Sequence, residues 1–430
     1  MAKNSRDSGA NSWAETSNRI TYGEVFEDGI IDVVASTNQN GLDLLFYAGE
    51  KVHVAQEINH RGVLYRTPDL DLSIRQALRF PPGVTAYRSF TALFTNVVNL
   101  YREHFGLPED VAIFAASWIF SSWIPELMVM PLTMCVTATA SQVRNLHRLF
   151  RCLCRRPLMV AELSRRLPFY LHPTLLIDDP KLSPKACAFW SAANSHGVVV
   201  PEKGGRLCEL TCSKAVRLHP QDSADLWGED AAHLVLLPTE FSPLSDRLLE
   251  KITSEFQPQL EMYRLRRLTG MERVVPTLSQ FADFELARNL FACLPDDAEI
   301  VGNLTLLLES HRQEVLARRS RNPQLAIVEA VWVPAHSPGK MSVGEITERV
   351  NAILRARDEM YVFNSWEIGW LLRKLHLHSR STREGRVLRF STEICRRLHQ
   401  LARELGLKLP IVPSCEECKE PQAIEAASVV

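Results

Sequence analysis

The stretch Thr137–Phe150, TATASQVRNLHRLF, and the run Thr174–Asp179 that follows it, TLLIDD, decide the fold. The first follows an apolar run, LMVMPLTMCVTA from Leu127, that reads as a strand, and it opens a segment with helical periodicity. The second is an apolar strand ending in two acids. A site that hydrolyses a nucleoside triphosphate has this frame: a strand, a glycine-rich loop with Lys and Ser/Thr on phosphate and Mg²⁺, a helix, then an apolar strand ending in acids. Fitted to this chain, the glycine, Lys and Ser/Thr positions fall on Ala138, Val143, Arg144 and Asn145, and none matches.

Val143 is the most damaging departure, because a β-branched residue disfavours the conformations open to glycine. Arg144 keeps a positive charge, but its planar fork does not replace a compact ammonium in a tight loop. Asn145 retains an oxygen that could serve as a ligand. Downstream, Asp178 ends the strand where it would hold a metal-bound water, with Mg²⁺ as the metal if nucleotide binds. Asp179 follows where a base would act, one methylene shorter than Glu. ATP and Mg²⁺ are therefore the expected cofactors only if this site functions.

Working outward, the chain divides by texture. Residues 1–20 are rich in Ser, Asn, Asp and Gly and read as disordered. Residues 21–84 carry short β-like runs, IIDVVAS, LDLLFYA, KVHVAQEI and VLYRT, separated by Asp28-Gly29, Asn40-Gly41 and Arg61-Gly62, a small β-rich domain. From Ser89 an amphipathic helix places Phe90, Leu93, Phe94, Val97, Val98 and Tyr101 on one face and stops at Gly106. Strands alternating with helices over 85–237, VAELSRRL from Val160 counted as a helix, predict an α/β core with a largely parallel sheet. Gly204-Gly205 marks a hairpin turn after Gly197. Residues 238–340 are mostly helical in texture.

Residues 341–409 begin with a capping-box spacing, Ser342 to Glu345, and run helix, helix, basic linker, helix. A Gly-containing turn between short β-like arms after two helices predicts a winged-helix-like domain. Arg373, Lys374, Arg380, Arg383, Arg386, Arg389, Arg396, Arg397 and Arg403 face only Glu384, Glu393 and Glu404 between residues 373 and 404, so a nucleic-acid contact, DNA first, is expected. The bland alternative is a soluble basic face or a protein-docking surface. Trp366 and Trp370, four apart on one helix face, are assigned to the core. His376 and His378 read as surface or wing residues. Residues 410–430 read as a disordered tail.

The bulk numbers set outer bounds. A chain of 430 residues has room for two or three domains, and 46% hydrophobic and 23% charged residues are ordinary for a soluble protein. The net charge of −1 conceals an asymmetry, since basic residues gather in the C-terminal third between Arg373 and Lys408 while the last residues carry Glu416, Glu417, Glu420 and Glu425. Ten scattered cysteines and a polar start without an apolar segment point to the reducing cytoplasm. Only Cys415 and Cys418 have metal-like spacing, and no second ligand pair lies near them in sequence, so they read as free thiols. The apolar run Val111–Val136 is long enough to span a bilayer, but Pro125, Glu126 and Pro131 interrupt it. A buried helix ending near Trp123, a turn and a buried strand are expected instead.

The chain resembles a group of bacterial P-loop ATPases similar to the primase-helicase proteins of phages and integrated elements. The resemblance is carried by CRRPL at Cys154, PTLLIDD at Pro173, SAANSHG around Asn194 with the downstream GGRLCEL, FQPQLEMYRLRRL at Phe256 and SWEIGWLLRKLHL near the C-terminus, and runs from about Tyr22 to Leu407. It implies an ATP-dependent motor core with a strand-end acid at Asp178, a second acid at Asp179 and a polar sensor at Asn194. If the chain forms a homo-oligomeric ring, Arg247, Arg264, Arg266 or Arg267 would act in trans. The departure at the phosphate loop makes a degenerate ATPase the leading expectation. An active ATPase or helicase and a non-catalytic protein-binding subunit are the alternatives.

Overall fold

In the computed structural model, which describes residues 17–36, 41–161, 167–178, 183, 186, 189–190, 197–201, 207–218, 231–236, 243–272, 274–282, 284–383, 385–405, 407 and 409–418, the N-terminal β-like runs fold into two sheets. Their strands are β1 (Ser17–Ile20), β2 (Glu24–Phe26), β3 (Gly29–Ala35), β4 (Leu42–Ala48), β5 (Lys51–Ala55), β6 (Glu57–His60) and β7 (Val63–Arg66). β2-β3-β4-β5 is an antiparallel meander, and β7 lies between a parallel β1 and an antiparallel β6. The expected disordered start thus includes a strand from residue 17.

A short helix α1 (Leu72–Ala77) precedes α2 (Phe90–Phe105) and α3 (Glu109–Trp123). α2 starts where Ser89 accepts from the Ala92 N–H and ends at Gly106, whose left-handed backbone (φ 60) suits glycine. Its buried face is the predicted one, with Phe105 added. α3 is buried nearly all round, which accounts for the apolar run beginning at Val111. Among the described residues no helix is long and apolar enough to cross a membrane.

The α/β part follows as β8 (Thr133–Thr137), α4 (Ala140–Leu153), β9 (Pro157–Val160), β10 (Thr174–Ile177), β11 (Val199–Pro201), β12 (Leu207–Glu209), β13 (Lys214–Leu218) and β14 (Ala232–Val235). β11 and β12 form the hairpin expected after Gly197, while Gly204-Gly205 lie outside the described residues. The other five strands make one wholly parallel sheet in the order β14-β8-β13-β10-β9. β9 corrects the sequence reading: Val160 ends a strand instead of opening a helix, and residues 162–166 lie outside the described residues. A four-residue strand beginning with proline leaves no periodicity to detect.

Alternation along the strands explains how the sheet is covered. Met134, Val136 and Leu176 join the core made with α2, α3 and α4, whereas Cys135, Leu175 and Ile177 join Ile31, Val33 and Leu44 of the N-terminal strands. Both faces are dry, as a parallel sheet requires. Helices α5 (Asp246–Leu268) and α6 (Glu285–Phe291) complete the helical side, and α7 (Ala298–Ser320) begins in this unit, whose compact part ends at Leu308.

The second unit begins at Glu309 and holds α8 (Pro323–Ala335), β15 (Gly339–Ser342), α9 (Val343–Arg355), α10 (Ser365–Lys374), β16 (Arg380–Thr382), β17 (Gly385–Phe390) and α11 (Thr392–Glu404). β17 is central in an antiparallel three-stranded sheet with β15 and β16. The predicted Ser342–Glu345 capping box opens α9. Residues 410–418, expected to be disordered, fold back onto this unit: Trp332 Nε1 donates to the Pro410 carbonyl at 2.9 Å, and Cys418 is buried.

Candidate functional site

In open parallel sheets a ligand crevice forms beyond the carboxyl ends of the strands. That edge here carries Thr137 on β8, Asp178 just past β10 and Arg217 near the end of β13. Asp178 is held by its N–H donating to the Val160 carbonyl at 3.0 Å, and its Oδ1 accepts from Arg217 Nη1 at 2.9 Å. A metal-bound water at Asp178 would meet this guanidinium. Behind the pair lies His147 of α4, fully buried, with neither ring nitrogen partnered among the described residues. Burial pushes its pKa down to about 4, the Asp178 carboxylate opposing and Arg217 adding to the effect. His147 and Arg217 were missed in the sequence; only the topology brings them to Asp178.

Of the residues fitted to the phosphate pattern only Ala138 is on a loop. Only Ala138 and Thr139 connect β8 to α4, and Val143, Arg144 and Asn145 are inside the helix. Val143 and Asn145 are buried, and Arg144 is exposed with Nε donating to the Ala140 carbonyl at 3.2 Å. The helix start is closed by its own side chains: Thr139 Oγ1 accepts from the Gln142 N–H, and Gln142 Oε1 accepts from the Thr139 N–H at 3.0 Å. The N–H groups of Thr139 and Gln142, which would otherwise face an anion, are thereby engaged. Asp179 and Asn194 lie outside the described residues.

Two of the four arginines expected to act in trans are buried instead. Arg264 is 1% exposed: Nε donates to Asp32 Oδ2 at 2.6 Å, and its terminal nitrogens donate to Glu126 at 2.7 and 2.6 Å. Arg155 and Arg156, from CRRPL, reach the same Asp32 at 3.0 and 2.5 Å. Burial alone would raise the Asp32 pKa, but the guanidiniums of Arg155, Arg156 and Arg264 hold it well below the usual carboxylate range. Glu261, also buried, is pushed up to about 8 by burial and by Asp32. Arg267 is buried and donates to the Ala292 carbonyl. Arg266 lies over the Tyr87 ring, and Arg247 is exposed. Two segments that carried the resemblance, from Cys154 and from Phe256, thus meet at one buried carboxylate.

The C-terminal arginines have the opposite environment. Arg373, Lys374, Arg380, Arg383, Arg386, Arg389 and Arg396 are exposed, and Arg397 is half-buried. A groove of about 690 Å³ is lined by His376, His378, Arg380, Arg389, Arg396 and Arg397, with Glu393 as its acid. Arg389 stands directly opposite Lys340 across β15 and β17, a like-charge pair that a bound polyanion would relieve. Among the described residues, Arg396 meets Glu417 at 3.4 Å and Arg397 meets Glu404 at 3.4 Å.

The two tryptophans are not core. α10 buries Ile368, Gly369, Leu371 and Leu372, so the i, i+4 stripe of Trp366 and Trp370 turns outward, 73% and 43% exposed. Lys374 Nζ sits 3.8 Å from the centre of the Trp370 ring. His376 and His378 are exposed, as expected for surface residues.

No protein-family model matches the sequence, and no curated protein matches it. Among solved structures the chain is similar to apo forms of the C-terminal region of NrS-1. One gives a TM-score of 0.35 at 9% identity, covering 84% of this chain and 96% of that chain. A second, of residues 305–718 of that protein, gives 0.36 at 9% identity over 84% of this chain and 95% of that chain. A third gives 0.32 at 8% identity over 84% and 96%.

Proposed function

We propose that this chain binds nucleic acid through its C-terminal unit, a winged helix, and that its α/β part is a P-loop-type scaffold that no longer hydrolyses ATP. The observation that carries the reading is the order helix, strand, helix, helix, hairpin, helix over 323–404, with an exposed basic groove at its end. In helix-turn-helix modules the second helix of the pair enters the major groove. Here that helix is α10, which offers Trp366, Trp370, Arg373 and Lys374. The arginines of the hairpin and of α11 would neutralise phosphates, DNA being the preferred partner.

The loss of hydrolysis rests on three features of the carboxyl edge. The connection from β8 to α4 has two residues, the helix start is capped by its own Thr139 and Gln142, and Arg217 occupies Asp178. ATP with Mg²⁺ would have to displace the last two together. A protein-docking subunit is the second reading, and the exposed side chains of Met360, Tyr361, Val362 and Trp366 favour it.

Two measurements on the full chain test these readings. Fluorescent ATP with Mg²⁺ should not bind, and no turnover should appear with or without single-stranded DNA. Turnover that Asp178→Ala abolishes would overturn the loss of hydrolysis. Binding to duplex DNA should weaken steeply with salt, with a log–log slope of about 0.9 per phosphate contacted. No affinity even at low ionic strength would reject the nucleic-acid role and leave protein docking.

A further inference from the structure

The C-x-x-C pair that has no second ligand pair nearby in sequence acquires one in space. His336 just follows α8, Cys395 and His399 lie one turn apart on α11, and Cys415 and Cys418 are on the folded-back segment. One donor atom from each of His336, Cys395, His399 and Cys415 lies within 4.8 Å of the others. His336 Nε2 and His399 Nε2 are 3.0 Å apart, Cys418 Sγ is 3.3 Å from the first and 3.7 Å from the second, and Cys415 Sγ is 3.4 Å from His399 Nε2.

We infer that His336 Nε2, His399 Nε2, Cys415 Sγ and Cys418 Sγ form a tetrahedral Zn²⁺ site that pins residues 409–418 to the C-terminal unit. With Zn–N of about 2.0–2.1 Å and Zn–S of about 2.3 Å, the edges of such a tetrahedron run from about 3.3 to 3.8 Å. The separations found are close to these, the two nitrogens being slightly nearer. Two imidazoles and two thiolates also suit zinc better than a hard cation that wants oxygen.

The surroundings are those of a metal site. His336 Nδ1 lies 2.7 Å from the Trp332 carbonyl, which can only accept, so the proton is on Nδ1 and the Nε2 lone pair faces the cluster. Trp332 also walls the site, its ring centroid 4.8 Å from that of His336 and 4.6 Å from that of His399. A cavity of about 550 Å³, lined in part by His336, Cys395 and Cys415, opens toward solvent and supplies an entry path. Cys395 is a fifth donor beside the four and is not required. Binding displaces two thiol protons to solvent and changes no oxidation state.

The test uses the full chain. Metal analysis after purification without chelator should find one zinc per chain, and Co²⁺ exchanged into the protein should give the visible spectrum of tetrahedral cobalt with a thiolate charge-transfer band. Cys418→Ser and His336→Ala should each reduce zinc at least tenfold, whereas Cys395→Ala should keep the full equivalent. A wild-type chain that holds no zinc and gives no tetrahedral cobalt spectrum overturns the site, and that readout does not depend on any variant folding. So does a full equivalent of zinc in Cys418→Ser, or a disulfide between Cys415 and Cys418 in the freshly purified protein.

Discussion

Arginine does opposite work in the two units. Around Asp32, Arg155, Arg156 and Arg264 are at most 3% exposed and share one carboxylate that joins β3, the α4–β9 turn and α5. On the hairpin and α11 of the C-terminal unit, Arg380, Arg383, Arg386, Arg389 and Arg396 stand in solvent, and among the described residues Arg396 meets Glu417 only at 3.4 Å. The difference teaches that a basic cluster in a sequence is a ligand surface only where no buried carboxylate claims it. Burial converts the charge into a fixed joint, and exposure leaves it for a polyanion.

The largest effect should come from breaking the buried set. Asp32→Ala leaves three guanidiniums without their shared counter-charge and should cost about 3–5 kcal/mol in urea unfolding. A loss below ~1 kcal/mol would mean that water reaches these arginines and the comparison fails. Arg389→Ala, by contrast, should change stability by no more than about 0.5 kcal/mol.

A second test uses two buried groups of opposite sign. His147, with a folded pKa of about 4 against an ordinary 6.5, is neutral in the folded chain while the unfolded chain takes up a proton first. Its stability is therefore complete above pH 6.5 and lost as pH falls to 4, by about 3 kcal/mol. Glu261 stays protonated in the folded chain up to about 8, so its stability is present below 4.5 and lost as pH rises to 8. Because the two offset each other, the measurement is the pH–stability profile of each variant relative to wild type. His147→Leu should remove the acid-side loss and Glu261→Gln the alkaline-side loss; profiles parallel to wild type would show both groups solvated.

The smallest effect belongs to the exposed set. Arg389→Ala and Arg396→Ala should each lower the salt slope of DNA binding by about 0.9 while leaving sequence preference alone. An unchanged slope in both would leave the basic groove without a phosphate contact.

Much of the fold was legible because it is local. The runs IIDVVAS and LDLLFYA carry their β-character in consecutive residues and became β3 and β4; the face of α2 repeats at helical spacing; the Ser342–Glu345 box closes within four residues. What was not legible depends on partners far along the chain. Arg264 was expected to act in trans because nothing near it reveals that Asp32, 232 positions away, is its acceptor. Trp366 and Trp370 looked like core because they lie four apart on one helix face, but α10 has only one stripe to bury, and Ile368, Leu371 and Leu372 fill it.

By itself the sequence determined most of the strands and helices, though not β9, with the strand-end acid at Asp178, the basic stretch from Arg373 to Arg403 and the absence of phosphate-loop glycines, since each is set by neighbouring residues and backbone preference. Tertiary structure alone decided that Arg217 sits on Asp178 and that three arginines serve Asp32. It also decided that Cys415 and Cys418 face two histidines. These are pairings across the chain, fixed by which strands lie side by side and which charges must be neutralised once water is excluded.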